Sequence, residues 1–361
     1  MKVVVYGICK DESQFVDRWM DSMEEADQVV VLDTGSQDDT VEKLRRRGAV
    51  VEQEIIQPWR FDTARNRSMA LIPADADVCV CTDLDEAFHP GWRAALERAW
   101  TPDATQGRYR YTWSFQPDGR EGVVFYPEKI HRNGGFRWVG PVHEVLRYQG
   151  PQREKIITLP GVQLDHRADP QKSRSQYLPL LELAVAEEPE NDRSAHYLGR
   201  EYMFHGMWRK SIAQLQRHLT LKSARWADER CASMRYIARD YVALEDKAQA
   251  LVWLLRAAAE APYLREPWVE LGHLLYSLKD WAGVCFAIDR ALAITQRPTS
   301  YVCEEKPWGS LPYDLRSVAR YHLGLVEQAY QDAVAAQALD PQDQRIQGNV
   351  RLLAEKTGRT G

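Results

Sequence analysis

Four short, almost wholly apolar runs, each followed by a helical pattern, constrain this chain more than any other feature. KVVVYGI (2–8), QVVVLD (28–33), AVVEQEI (49–55) and ADVCVCTD (76–83) have strand length and composition. After the first, Phe15, Trp19 and Met23 recur at four-residue spacing, and after the second Ser36 stands as the N-cap of a helix running through Leu44. DTARNRSMAL (62–71) reads as a third helix. Strands with no polar face must be covered on both sides. The alternation therefore predicts a right-handed, doubly wound α/β sheet. From about 107 to 165 the runs RYRYTWSF, GVVFYPEKIHR and FRWVG predict antiparallel strands added to that parallel core.

Near residue 170 the texture changes to helical patterns. Tyr202, Tyr241, Leu275 and Arg320 align as one position, spaced 39, 34 and 45 residues apart. Ser211, Ala250, Val284 and Ala329 follow nine residues later, and His218, Ala257, Ala291 and Ala336 sixteen later. Gly199 and Gly272 share the position three before, Gly206 and Gly324 the position four after. A helix–turn–helix unit of about 34 residues with small residues at its crossing is the tetratricopeptide pattern. Residues 174–189 read as a partial leading repeat, and 297–311 as an insertion. The expected domains are thus 1–170, α/β, and 171–361, all-α repeats.

The chain's 361 residues carry a net charge of -5, which provides no bulk positive field for nucleic acid. No apolar run approaches the length of a membrane span. The first apolar run is too short for a secretory leader. Six scattered cysteines without a C-x-x-C pair read as buried thiols in a reducing, cytoplasmic setting.

Three clusters of chemistry-bearing residues end the expected strands, where open α/β sheets bind ligands. In LDTGSQDDT, Asp33 can accept from a ribose diol or base, or simply cap its own turn. In FDTARNRSMA, Arg65, Asn66 and Arg67 can hold a base or diphosphate, or form a solvated helix face. In CTDLDEAF, Asp83 and Asp85 leave an apolar strand together. Such carboxylates need a cation among them, and their hard oxygens suit Mg²⁺ or Mn²⁺.

YGICKDESQFVDRW, VVVLDTGSQDDT, FDTARNRSMA and CTDLDE, in that order, resemble the nucleotide-binding motifs of family-2 glycosyltransferases of the GT-A (Rossmann-like) fold. With the repeats behind them they resemble a bacterial and bacteriophage subgroup. The resemblance implies metal-dependent, inverting transfer of a sugar from a nucleotide sugar, UDP-glucose being the expected donor. It implies that Ile8, Lys10, Asp33, Arg65 and Asn66 line the nucleotide pocket, with Asp83 and Asp85 as the D-x-D pair. His166, after the last strand, is the expected third metal ligand, and Lys172 or Arg174 would neutralise the diphosphate. No later E-D pair is present. RWVGPVHEVL resembles a W-x-G-x-x-H-E segment instead, which makes Glu144 or His143 the candidate base. His131 and Arg132 are candidates for the acceptor side.

Repeat arrays present concave surfaces suited to peptides, so a protein or peptide acceptor is expected. Two alternatives stand beside it. One is transfer to 5-hydroxymethylcytosine in bacteriophage DNA, for which the basic stretches Arg200, Arg209, Lys210, Arg217 and Arg225, Arg230, Arg235, Arg239 would serve, with Trp208 and Trp226 for stacking. The other is a non-catalytic repeat scaffold. Trp253, Trp268 and Trp281 fall at helical spacing as expected core residues. Trp113, Trp138 and Trp308 are the candidates for sugar stacking.

Overall fold

The first apolar run forms β1 (Val3–Cys9), buried along its whole length. Its residues alternate between two faces. Val3, Val5 and Cys9 join Val29, Val31, Val78 and Val80 in one core, while Val4, Tyr6, Cys79 and Cys81 turn to a second. This is the two-sided cover that wholly apolar strands demand.

The computed structural model describes residues 1–116, 118–169 and 175–359. The chain divides into two units, Met1–Ala186 and Glu187–Gly361. In the first, α1 (Val16–Ser22), β2 (Gln28–Asp33), α2 (Thr40–Arg46), β3 (Val50–Gln53), α3 (Phe61–Met69) and β4 (Val78–Cys81) follow in alternation. Then come β5 (Glu86–Phe88), α4 (Trp92–Ala99), β6 (Gln106–Thr112), β7 (Val124–Phe125), β8 (Ile130–Arg132), β9 (Phe136–Val139), β10 (Val145–Tyr148), β11 (Ile156–His166) and α5 (Tyr177–Glu187).

The main sheet runs in the order β3-β2-β1-β4-β8-β6-β11-β5, with β7 on β6. β1 to β4 are mutually parallel. β8 enters antiparallel to both β4 and β6, whereas β11 lies parallel to β6. β9 and β10 form a separate antiparallel pair. The helices α1 and α4 supply Trp19 and Trp92 to one core, and α3 supplies Ala64 to the other face. One expected boundary moves. Ser36 does not cap α2; Asp39 holds the N-cap position, without a side-chain capping bond, because Gly35 (φ 111) turns the chain and three further residues precede the helix.

The second unit is built of helix pairs: α6 (Asp192–Phe204) with α7 (Trp208–Thr220), α8 (Ala227–Ala243) with α9 (Lys247–Glu260), α10 (Arg265–Ser277) with α11 (Trp281–Ala293), and α12 (Leu311–His322) with α13 (Val326–Leu339), followed by α14 (Gln344–Lys356). The aligned positions Ser211, Ala250, Val284 and Ala329, and His218, Ala257, Ala291 and Ala336, are all fully buried. A Cβ on Gly199 would lie 2.5 Å from Leu215 of the paired helix, and one on Gly272 2.7 Å from Ile288. Side-chain volume is therefore excluded where the two helices of a pair cross. Ala238 and Ser317 occupy the same position in the other repeats and are 1% exposed.

The turn four residues after the reference position is left-handed in every repeat. Gly206 (φ 70) and Gly324 (φ 79) adopt it freely, whereas Glu245 (φ 63) and Lys279 (φ 60) adopt it with a Cβ. Lys279→Gly is therefore expected to stabilise the helical unit by about 1 kcal/mol, read from the urea midpoint.

Asp240 on α8 is 0% exposed. Burial pushes its carboxyl from 3.8 up to about 7, against the pull of Ser211 and Arg239. The unfolded chain releases that proton first, so this group erodes stability as pH rises from about 4 to about 7. Asp240→Asn should leave stability near pH 4 unchanged and raise it above pH 7, as followed by urea unfolding across that range.

Candidate functional site at the carboxyl ends of the parallel strands

β2 and β3 extend to one side of β1, and β4 lies on the other, so the strand order reverses between β1 and β4. Such a reversal opens a crevice beyond the carboxyl ends of the strands. The segment after β4, Thr82 to Glu86, emerges there, and its three acidic residues diverge.

Asp83 turns toward cations. Its Oδ1 and Oδ2 accept from Arg65 Nη2 at 2.9 and 3.2 Å, and Lys129 Nζ lies 3.5 Å from Oδ2. Arg65 rises from α3 and is 5% exposed. Its Nε donates to Glu144, its Nη1 approaches Cys81 Sγ at 3.3 Å, and its guanidinium lies 5.2 Å from the Trp138 ring. Glu86 is 1% exposed and accepts from Lys129 Nζ at 3.2 Å, Tyr111 Oη at 2.7 Å and the Asp83 N–H at 2.9 Å. Burial raises its carboxyl above the ordinary range, and Asp83 and Asp85 add to this against the pull of Lys129. Lys129 was not among the residues expected from sequence. Its one signal is a lone cation immediately before the β8 strand pattern.

Asp85 turns the other way, and its Oδ2 lies 3.4 Å from His166 Nε2 at the end of β11. His166 Nδ1 lies 3.0 Å from the Trp113 carbonyl. A carbonyl only accepts, so Nδ1 carries the proton and Nε2 faces Asp85. Burial lowers the imidazole, but Asp85 and this carbonyl outweigh it and hold it above its ordinary value. The Trp113 ring, 45% exposed, stacks on His166 with centroids 4.4 Å apart. A cavity of about 400 Å³ opens there, lined by Trp113, Ser114, Phe115, His166, Arg167 and Ala168.

The expected three-residue metal set is thus divided: Asp85 and His166 come together, while Asp83 is held by Arg65 and Lys129. Asp33 is fully buried and accepts from the N–H groups of Gly35 and Ser36 at 3.2 Å and from Gln53 at 3.3 Å. In this arrangement it stabilises its own turn. Asn66 clamps β9 to α3, with Nδ2 donating to the Trp138 carbonyl (2.8 Å) and Oδ1 accepting the Trp138 N–H (3.0 Å). Ile8 packs in the core with Leu32, Ile56 and Ala64, whereas Lys10 is exposed just beyond β1. Glu144 lies in the turn before β10, fixed by Arg65, and His143 beside it has a left-handed backbone (φ 49). Lys172 and Arg174 lie outside the described residues.

The aromatic candidates separate in the same way. Trp113 faces the cavity. Trp138 is 2% exposed, with Nε1 donating to Tyr6 Oη at 3.0 Å, so its ring belongs to the core. Trp308 lies in the helical unit under Arg265, 4.1 Å from its guanidinium. His131 is also a core residue, 2.9 Å from Tyr6 Oη, and burial pushes it down to about 4. In the second unit the later of the two basic stretches is paired within the fold from Arg230 onward. Arg230 bonds Glu260, and Arg235 and Arg239 share Glu270 and Glu304.

Comparison with known proteins corrects the expected family. No family model matches the chain, and no curated protein matches it. The solved structures reported as similar are repeat proteins, and none of them is a glycosyltransferase. A chain of the APC/C hetero-tetramer Cut9–Hcn1 is 14% identical over 51% of this chain and 34% of its own, with a TM-score of 0.41. This chain therefore spans about a third of that one. MamA is 17% identical over 46% of this chain and 83% of its own, with a TM-score of 0.37. YrrB, described as a TPR protein with an unusual peptide-binding site, is 13% identical over 50% and 84%, with a TM-score of 0.40. The resemblance to family-2 glycosyltransferases accordingly does not stand as an identification. What stands is an α/β sheet unit followed by a unit of repeated helix pairs. No helix among the described residues is long and apolar enough to cross a membrane.

Removing Arg65 would leave the Asp83 and Glu144 carboxylates facing each other without their shared cation. Arg65→Ala is expected to cost about 3–5 kcal/mol of stability in urea unfolding, and Arg65→Lys to recover only part of it.

Proposed function

We propose that the first unit binds a nucleoside diphosphate sugar with a divalent cation and transfers the sugar to an acceptor. The observation that carries this reading is the meeting of Asp85, in the segment after β4, with His166 at the end of β11, beside an aromatic cavity with Trp113 on its wall. The two side chains fit a cation: one hard oxygen, and one imidazole nitrogen whose other nitrogen is fixed on a backbone carbonyl. Mg²⁺ and Mn²⁺ bind such sites through few protein ligands, the rest coming from phosphate and water. Bound there, the ion would neutralise charge on the leaving diphosphate.

The chain's own residues supply the remainder. The Arg18 guanidinium and the backbone N–H of Arg167 both donate to the Asp85 carbonyl, and Arg18 puts positive charge beside it. Trp113 offers a flat apolar wall for a sugar ring. Glu144 or His143 would take the proton from the acceptor as its oxygen attacks the anomeric carbon and the diphosphate leaves with the bonding electrons. UDP-glucose is the first donor to test. Protein or peptide is the favoured acceptor. Of the arginines that a DNA acceptor would need, Arg230, Arg235 and Arg239 are paired with Glu260, Glu270 and Glu304, which weakens the 5-hydroxymethylcytosine reading.

A second reading is supported by one observation, the commitment of Asp83 to Arg65 and Lys129. On that reading the sheet unit is not catalytic and the chain is a scaffold whose helices hold a peptide. Incubating the protein with UDP-glucose and other sugar nucleotides in Mn²⁺ separates the two. Slow Mn²⁺-dependent release of nucleoside diphosphate is expected. Asp85→Ala should reduce it at least ~100-fold with an unchanged circular dichroism spectrum. Undiminished release by Asp85→Ala would sink the cation assignment, and no release from any donor would favour the scaffold. Labelled sugar appearing on hydroxymethylcytosine DNA and not on protein would overturn the acceptor.

A further inference from the structure

Among the described residues, one group of three metal-ligating side chains converges, and it lies in the helical unit, apart from the Asp85–His166 pair. His196 on α6, His218 on α7 and Glu229 on α8 place one donor atom each within 4.8 Å of one another. They are 0%, 0% and 5% exposed. Neither His196 Nε2 nor His218 Nε2 has a hydrogen-bond partner among the described residues, and His218 Nε2 lies 3.4 Å from Glu229 Oε1. A buried imidazole nitrogen with no hydrogen bond, beside a second that meets only a carboxylate at 3.4 Å, is costly unless something electrophilic sits among them.

The surroundings admit the tautomers that metal ligands need. Ser233 Oγ, also fully buried, lies 2.8 Å from His196 Nδ1 and 2.9 Å from His218 Nδ1. A hydroxyl has two lone pairs, so it can accept from both Nδ1–H groups at once. That leaves a lone pair on each Nε2, directed away from Ser233. Imidazoles that ligate metals are held this way, through their second nitrogen. The remaining Glu229 oxygen accepts from the Tyr301 hydroxyl.

The repeat pattern shows that packing does not require His218. His218 stands where the other three repeats have Ala257, Ala291 and Ala336, each fully buried. An alanine closes the helix pair at that position, so the imidazole is an addition to the repeat.

We propose that His196, His218 and Glu229 form a site for one divalent transition-metal ion of the zinc class, oriented by Ser233. Two imidazoles and one carboxylate suit zinc and its neighbours better than Mg²⁺ or Ca²⁺. The ion would join three successive helices. Through Tyr301 and Glu229 it would also join them to the segment inserted before α12.

The test uses the full chain carrying Asp85→Ala and His166→Ala, so that the first unit contributes no ligands. After dialysis against a chelator, Zn²⁺ is added, excess is removed and bound metal is counted by mass spectrometry. About one Zn²⁺ per chain is expected, with a higher thermal midpoint, and Co²⁺ in its place should give a visible ligand-field band. His218→Ala restores the residue of the other repeats and should keep the helical spectrum while losing the ion. Glu229→Gln provides a second ligand variant, and Ser233→Ala should weaken binding about 10–100-fold. Uptake below about a tenth of an ion per chain by the parent, or equal uptake by parent and both ligand variants, would overturn the site and leave a buried polar cluster. These outcomes are independent of sugar transfer in the first unit.

Discussion

The buried guanidinium of Arg65 is the interaction on which the carboxyl-end face of the first unit's sheet depends. It reaches from α3 to the end of β4 through Asp83, and to the segment before β10 through Glu144, while packing over Trp138. One side chain thereby ties a helix, a strand end and the β9–β10 pair. A charge at that depth is tolerable only because two carboxylates share it. Lys129 extends the network to Glu86, which in turn holds Tyr111 of β6. The result is a rigid wall on one side of the segment after β4. Asp85 is left to turn to the other side, where His166 and Trp113 await it.

That divergence explains why three acidic residues close in sequence have three different environments. Asp83 is matched by cations, Glu86 is buried against Lys129 and Tyr111, and Asp85 faces His166 at the edge of a cavity. Only the last arrangement leaves a donor pair positioned beside space for a ligand. In the helical unit the same logic holds in reverse. Arg235 and Arg239 are consumed by Glu270 and Glu304, whereas among the described residues His196 Nε2 has no hydrogen bond and His218 Nε2 meets only Glu229 at 3.4 Å.

The alternation of apolar runs and helical patterns, the parallel core, the added antiparallel strands and the four helix pairs were legible from the chain because each rests on local periodicity. The crossing glycines, Gly199 and Gly272, were legible for the same reason. The site was legible only in part. Asp85, His166 and Trp113 were expected near ligand, and the structure gathers them. Asn66, Trp138 and His131 carry residue types that sequence reading assigns to recognition, yet their partners are backbone and core. Lys129 was missed because a single lysine before a strand has no pattern.

By itself the sequence determined the order and type of most elements and placed acidic and basic residues at strand ends, since those follow from the spacing of apolar positions. It also contained the repeat register, in which His218 departs from alanine. Only the tertiary structure decided which charges neutralise one another. Asp83 and Asp85 are two residues apart, yet they have different partners, because these come from α3, the residue before β8, and β11. His196, His218 and Glu229 meet for the same reason, since helix packing brings together residues that no sequence spacing links.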